Sequence, residues 1–313
     1  MVISVPLFRL SLASLAVLVF LAWTATARAA EPLVDGAWAV ANLNAPNVIF
    51  LDVQSARNYQ RRHIPGSIHT DYPEEGWRYF TSELGVVLPS PVEFGRLAGS
   101  LGIGNDSHVV IVATGSSERD MSVATDVYWT FKLFGHAEVS VLDGGLRAYR
   151  SARGQVEQGA GRKLPATEYS SRRRSRILAE YDDVFGALGV NLLVDHRPYA
   201  NYLGINKSDL TLSYGAIPGT KHLPADWLMQ DGGGTFRPVA ELRRLFAYAD
   251  IATEGRVIAI GDSSLEGSLG WFVMSELLGN KQARLYAGGM AQWTRRGDNP
   301  LVRRVNVQGT AGN

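Results

Sequence analysis

Short, unbroken apolar runs separated by polar, glycine-bearing stretches set the pattern of this chain. Asn47-Val48-Ile49-Phe50-Leu51-Asp52 and Asn191-Leu192-Leu193-Val194-Asp195 each run apolar into an aspartate, and the two aspartates lie 143 positions apart. Val109-Val110-Ile111-Val112 and Val257-Ile258-Ala259-Ile260 are apolar at every position. A strand with one face in water would alternate, so these runs predict strands buried on both faces, as in a parallel sheet. Each of the latter two runs leads into a Gly/Ser-rich loop and an amphipathic helix, closed by Gly135 and Gly279. In the first case helical periodicity emerges only near Ala124, after a loop spanning positions 113 to 121.

The landmarks repeat. An Ile-Pro-Gly turn follows each aspartate (Ile64-Pro65-Gly66 and Ile217-Pro218-Gly219), 13 positions from Asp to Pro in the first copy and 23 in the second. The second copy therefore carries an insertion around positions 204–214. A further strand, Val139-Ser140-Val141-Leu142 or Ala283-Arg284-Leu285-Tyr286, runs into Asp143-Gly144-Gly145-Leu146 or Ala287-Gly288-Gly289-Met290, with the first glycines 144 apart. Matched landmarks at nearly constant offset indicate duplication. Strand–helix alternation predicts an α/β fold of two tandem domains, each a mainly parallel sheet flanked by helices. The expected division is 30–150 for the first domain, 151–175 for a polar, solvated linker, 176–300 for the second domain and 301–313 for a tail.

Arg9 precedes an apolar run from Leu10 to Leu21, followed by small residues and Ala27-Arg28-Ala29. This predicts a secretory signal peptide over 1–29, hence an exported protein, periplasmic if the host is bacterial. No later run is long enough to span a bilayer, so no stable membrane insertion is expected after cleavage. With 31 basic and 30 acidic residues, the net charge of +1 argues against a nucleic-acid partner. Cysteine is absent altogether, which excludes disulfides and thiolate metal sites. The six histidines lack metal-ligand spacing, and no glycine pattern matches a nucleotide-binding fingerprint, so no metal and no cofactor are expected.

Taken together, the strand-Asp and Ile-Pro-Gly turn in both copies, Leu142-Asp143-Gly144-Gly145-Leu146, Trp271-Phe272-Val273 and Leu285-Tyr286-Ala287-Gly288-Gly289 with Trp293 resemble the tandem-domain rhodanese family, the thiosulfate and 3-mercaptopyruvate sulfurtransferases. The resemblance covers about residues 35 to 300. It implies a nucleophilic cysteine after the buried strand of the second domain, cradled by backbone N–H groups at a helix N-terminus that stabilise a thiolate or persulfide. Here that position is Gly261, in the loop Gly261-Asp262-Ser263-Ser264-Leu265-Glu266.

Three departures follow from the resemblance. Gly261 has no nucleophile. Glu266 stands where relatives often carry Arg or a hydroxyl residue, with Asp262 as a second carboxylate. Asn201 replaces a substrate-binding Arg found in some members. Anionic donors are expected to meet two negative charges, and at an effective dielectric of about 20 two like charges ~4 Å apart repel by about 4 kcal/mol. The first-domain loop has Ala113 at the equivalent strand end, and in the family the first domain is normally inactive. Its Gly115-Ser116-Ser117 run is a flexible loop with backbone donors for a small ligand. The residues expected to line a degenerate ligand site are Ser263, Ser264, Asn201, Arg197 and His222, taking a small anion or a protein partner in a monomeric chain. The favoured function is a binding, sensing or accessory module without sulfurtransferase activity. Two alternatives stand beside it: a hydrolase using Ser263 with His222, or with the Asp262 and Glu266 pair as acid and base, and sulfur transfer through a partner's thiol.

Overall fold

The computed structural model describes residues 30–190 and 192–307, together with Met1. The rest of the expected signal peptide, Asn191 and the last six residues of the tail lie outside the described residues.

The apolar runs are strands, and the two copies build the same sheet. In chain order the strands are β1 (Leu33–Val34), β2 (Val48–Asp52), β3 (Ile68–His69), β4 (Tyr79–Thr81), β5 (Gly85–Val87), β6 (His108–Val112), β7 (Val139–Leu142), β8 (Leu193–Asp195), β9 (Lys221–His222), β10 (Val257–Ile260) and β11 (Ala283–Tyr286). The first sheet has the order β1-β7-β6-β2-β3 and the second β11-β10-β8-β9, parallel throughout. In the second copy, the counterpart of β1 shrinks to one parallel bridge between Leu178 and Leu285. The antiparallel β4–β5 hairpin belongs to the first copy alone.

Helices cover both sheets: α1 (Gly36–Ala41), α2 (Ala56–Arg61), α3 (Pro91–Ser100), α4 (Glu118–Leu133), α5 (Gly145–Ser151), α6 (Tyr181–Gly186), α7 (Tyr199–Leu203), α8 (Val239–Tyr248), α9 (Ser264–Phe272) and α10 (Gly289–Trp293). α9 continues through a π-helical turn, Val273–Leu277. α4 begins at Glu118, earlier than its periodicity predicts, because Ser117 caps it and its first turn is polar. The expected long, flexible 113–121 loop is thereby shortened. Residues 152–174 lie against the first domain: Glu157 and His63 exchange backbone hydrogen bonds, Thr167 N–H donates to Gly99 and Arg174 N–H to Leu133.

One buried cluster spans both domains, and each domain adds a smaller one of its own. Trp129, Phe131 and Leu133 of α4 belong to the same buried cluster as Leu269, Trp271 and Phe272 of α9. The two helices cross closely because the contact is made by small side chains, with Thr125 Oγ1 and Ser268 Oγ 2.9 Å apart. Tyr128 meets Phe272 edge-on at 5.0 Å. Since α4 and α9 each follow a strand-end loop, this crossing sets both loops on one interdomain seam. No helix among the described residues is long and apolar enough to cross a membrane.

Candidate functional site

β10 ends at Ile260, in register with Asp195 of β8. Beyond this edge of a parallel sheet, backbone groups leave the ladder and become free to hold ligands. The loop there is fastened from behind. The carbonyls of Gly261 and Asp262 accept from the N–H groups of Met290 and Ala291, each at 2.9 Å. The repeated Gly-Gly makes this approach possible: Gly289 has φ +54°, and an added Cβ would stand 2.7 Å from the Gly261 oxygen.

Ser263 caps α9 and accepts from Leu265 N–H at 3.3 Å. Glu266, third residue of that helix, reaches back so that Oε2 accepts from Asp262 N–H at 3.2 Å. A Cβ at position 261 would lie 2.7 Å from this same oxygen. Its carboxylate, with the Ser263 carbonyl at 2.7 Å and the Gly267 nitrogen at 2.9 Å from the same point, therefore closes the space of the missing side chain and takes a loop donor for itself. Burial, and behind it the charge of Asp262, push Glu266 up to about 7.

Asp262 does not add the second ligand-facing charge expected from the sequence. Its Oδ1 accepts from Arg197 Nη1 at 3.2 Å and its Oδ2 from Asn201 Nδ2 at 2.7 Å. Arg197, 1% exposed, holds Asp195 through Nε and Nη2 at 2.7 to 3.1 Å and the Gly215 carbonyl at 2.9 Å. Burial alone would raise the pKa of Asp195, but the charge and hydrogen bonds of Arg197 outweigh it and hold it below the usual range. Arg197 and Asn201 are thus committed to internal carboxylates, where the sequence reading had them holding a ligand.

The expected Ser263–His222 pair does not form. His222 Nε2 donates to the Arg197 carbonyl at 2.9 Å, and its ring stacks on Tyr202 at 4.2 Å. His69 does the same in the first copy, donating to the Gln54 carbonyl at 2.8 Å and stacking on Tyr59 at 4.7 Å. A histidine with an identical duty in both copies is a turn-stabilising one. Ser264 is fully buried and accepts from Arg78 Nε at 3.0 Å, tying the first domain to α9.

The first-domain loop repeats the construction. Ala113 and Thr114 carbonyls accept from Leu146 and Arg147 N–H, Ser117 caps α4, and Asp120 Oδ2 accepts from Ser116 N–H at 3.0 Å. Two clefts open along the seam between the loops. One, of about 590 Å³, is lined by Ser263, Ser264 and Leu265 together with Thr114, Tyr79 and Phe80. The other, of about 370 Å³, has Glu266 and Leu265 facing Glu118, His196, Asp226 and Trp227. The last four escaped sequence reasoning, because the α4–α9 crossing and the segment after β9 bring them together from distant positions. The Ser-x-x-Asp/Glu spacing at Ser117 and Ser263 was the one visible sign that both carboxylates turn back on their loops.

Comparison with known proteins agrees with this architecture. Residues 35–152 match the rhodanese-like domain. The chain is 32% identical over 267 residues to the thiosulfate sulfurtransferases of Rattus norvegicus and Mus musculus, covering 83% of this chain and 85% of each relative. The Tum1 protein of Saccharomyces cerevisiae superposes with a TM-score of 0.74 at 17% identity, over 88% of this chain and 99% of that one. The Escherichia coli 3-mercaptopyruvate sulfotransferase SseA does so with 0.70 at 24% identity, over 82% and 98%. The chain belongs to the rhodanese family of sulfurtransferases, as a tandem-domain member with no cysteine at the place of the nucleophile.

Proposed function

We propose that this protein is an exported rhodanese-family member that has no sulfurtransferase activity of its own and serves as a binding or accessory module. The observation that carries the reading is the Glu266 carboxylate standing where the side chain of residue 261 would project. A sulfur carrier needs an atom that can form and release a sulfur–sulfur bond, and this chain contains no thiol. The space for one is also closed, by the Glu266 carboxyl and by the backbone of Ser263 and Gly267. Support for export comes from the charged, apolar and small-residue succession over positions 9 to 29. The rat and mouse relatives carry the name thiosulfate sulfurtransferase, and the missing thiol separates this chain from that activity.

Hydrolysis through Ser263 has little support, because its hydroxyl caps a helix and no histidine reaches it. The test is a cyanide assay with thiosulfate and with 3-mercaptopyruvate. Thiocyanate formation is expected at the protein-free rate, and turnover by the purified chain overturns the reading. A Gly261→Cys variant sharpens it. Its thiol, beside Glu266, is expected to react sluggishly with iodoacetamide near neutral pH, and Gly261→Cys with Glu266→Ser is expected to react faster.

A further inference from the structure

The corner beyond the strand ends is closed in the second copy and open in the first. In the second, the insertion packs over it: Leu212 N–H donates to Thr294 Oγ1 at 3.0 Å, and Arg197 reaches the Gly215 carbonyl at 2.9 Å. Inside, the Asp262 carboxylate accepts from Asn201 Nδ2 and Arg197 Nη1. The first copy has no insertion, and its corner is a cleft of about 200 Å³. Arg61, Arg62, Arg147 and Arg150 line it beside Asn58 and Thr114, and no carboxylate does.

The matching positions show which group the first copy lacks. Thr114 corresponds to Asp262, because the carbonyl of each accepts from the helix after the Gly-Gly turn, from Arg147 and Ala291 N–H respectively. Asn58 corresponds to Asn201, each six residues after its strand aspartate. The amide that holds a carboxylate in the second copy is exposed in the first, where Asn58 is bonded through its backbone alone among the described residues. Thr114 brings it no charge, and its hydroxyl donates to Gln54 Oε1 at 3.3 Å.

The arginines are a second observation, independent of this correspondence. All four are exposed, and none forms an ion pair among the described residues. Their counterparts Gly204, Ile205, Ala291 and Thr294 are uncharged. In a chain of net charge +1, four guanidiniums around one small cleft are a local excess, and an anion relieves their mutual repulsion. A guanidinium pairs bidentately with a carboxylate, and one carboxylate cannot serve four of them. The cleft is also smaller than the roughly 300 Å³ at which pockets for drug-sized ligands begin, so the guest is compact.

The geometry points to a binding site for a small di- or tricarboxylate in the first domain. One carboxylate of the guest takes from Asn58 Nδ2 the hydrogen bond that Asp262 takes from Asn201. The others pair with Arg61, Arg62, Arg147 and Arg150. The site lies apart from the Gly261 loop and goes beyond the loss of sulfur transfer, so neither claim depends on the other.

Isothermal titration of the purified protein with citrate and succinate, against acetate, phosphate and thiosulfate, tests this. At least one of the first two is expected to bind with Kd below about 1 mM, and the three controls about tenfold or more weaker. Arg61→Gln and Arg150→Gln, both exposed, should each weaken the better ligand about threefold. Arg243→Gln, on an exposed part of α8 outside the cleft, should leave it unchanged. Thr114→Asp rebuilds the internal carboxylate of the second copy and should weaken binding about tenfold or more. Urea midpoints establish that each variant is folded, and the two arginine variants decide the matter if Thr114→Asp is not. Failure of both citrate and succinate to bind overturns the proposal, as does phosphate or thiosulfate binding equally tightly. So does an affinity indifferent to the cleft variants, or one that falls as far with Arg243→Gln. Turnover in the cyanide assay on the same preparation would defeat the loss of sulfur transfer and leave this site standing.

Discussion

The two copies bury an aspartate at the same strand end and treat it in opposite ways. In the first, Asp52 accepts from Gln54 N–H and Nε2, both at 2.9 Å, and Gln54 in turn accepts from Thr114 at 3.3 Å. In the second, Asp195 is gripped by Arg197, which also holds Asp262. The positions correspond one for one, yet the first chain of bonds contains no cation. Asp52 is accordingly driven by burial up to about 7, while Asp195 is held below the usual range. The difference shows that the fold demands a buried acceptor at this corner, to tie down the loop, but not a charged one. The second copy adds an ion pair and so preserves a full charge network beneath its degenerate loop.

The most severe way to break the comparison is to turn the second corner into the first. Arg197→Gln leaves Asp195 and Asp262 without their cation, and breaking a buried pair of this kind costs about 3–5 kcal/mol. Urea midpoints should show this near neutral pH. The loss should shrink toward about pH 5, because Asp195 would then have a raised pKa and bind a proton in the folded state.

Asp52 supplies the converse. Its folded pKa of about 7 exceeds its ordinary value of 3.8, so the folded state binds the extra proton. Stability attributable to it is present below about pH 4 and is lost as pH rises toward 7, by on the order of 4 kcal/mol. Glu266, at about 7, and Asp143, at about 6, act in the same direction. The protein should therefore unfold at higher urea near pH 5 than near pH 8. Asp52→Asn should flatten part of that slope, and an unchanged slope would show that Asp52 is not titrating.

Smaller effects test the shared clamp. Gly145→Ala and Gly289→Ala each place a Cβ at positive φ, 2.2 Å from the Ala113 oxygen and 2.7 Å from the Gly261 oxygen. Strain and overpacking together should cost about 2–3 kcal/mol in either copy, read as lowered urea midpoints. Least disruptive are Ser117→Ala and Ser263→Ala. Each removes an N-cap and should lower stability by about 1 kcal/mol, with the Ser263 variant leaving hydrolysis of generic ester substrates at background.

Much of this was legible in the chain. Apolar runs fully buried on both faces of the sheets, such as Val257–Ile260, read correctly because burial leaves no polar alternation. Cysteine's absence and Gly261 needed no coordinates. The site residues were read less well. Arg197 and Asn201 look like ligand-binding groups in the sequence and prove to be partners of Asp262, while Glu118, His196, Asp226 and Trp227 gave no signal.

Local patterns reach as far as strand, turn and cap, because those depend on neighbours within a few positions along the chain. They carried the duplication, the α/β alternation and the missing thiol. The partners of Asp262 were settled elsewhere, by Arg197 and Asn201 more than sixty positions away, and the seam clefts by the crossing of α4 over α9. Contacts of this kind join residues far apart along the chain, and the clefts among them join the two domains, so they exist only once the tertiary structure has formed.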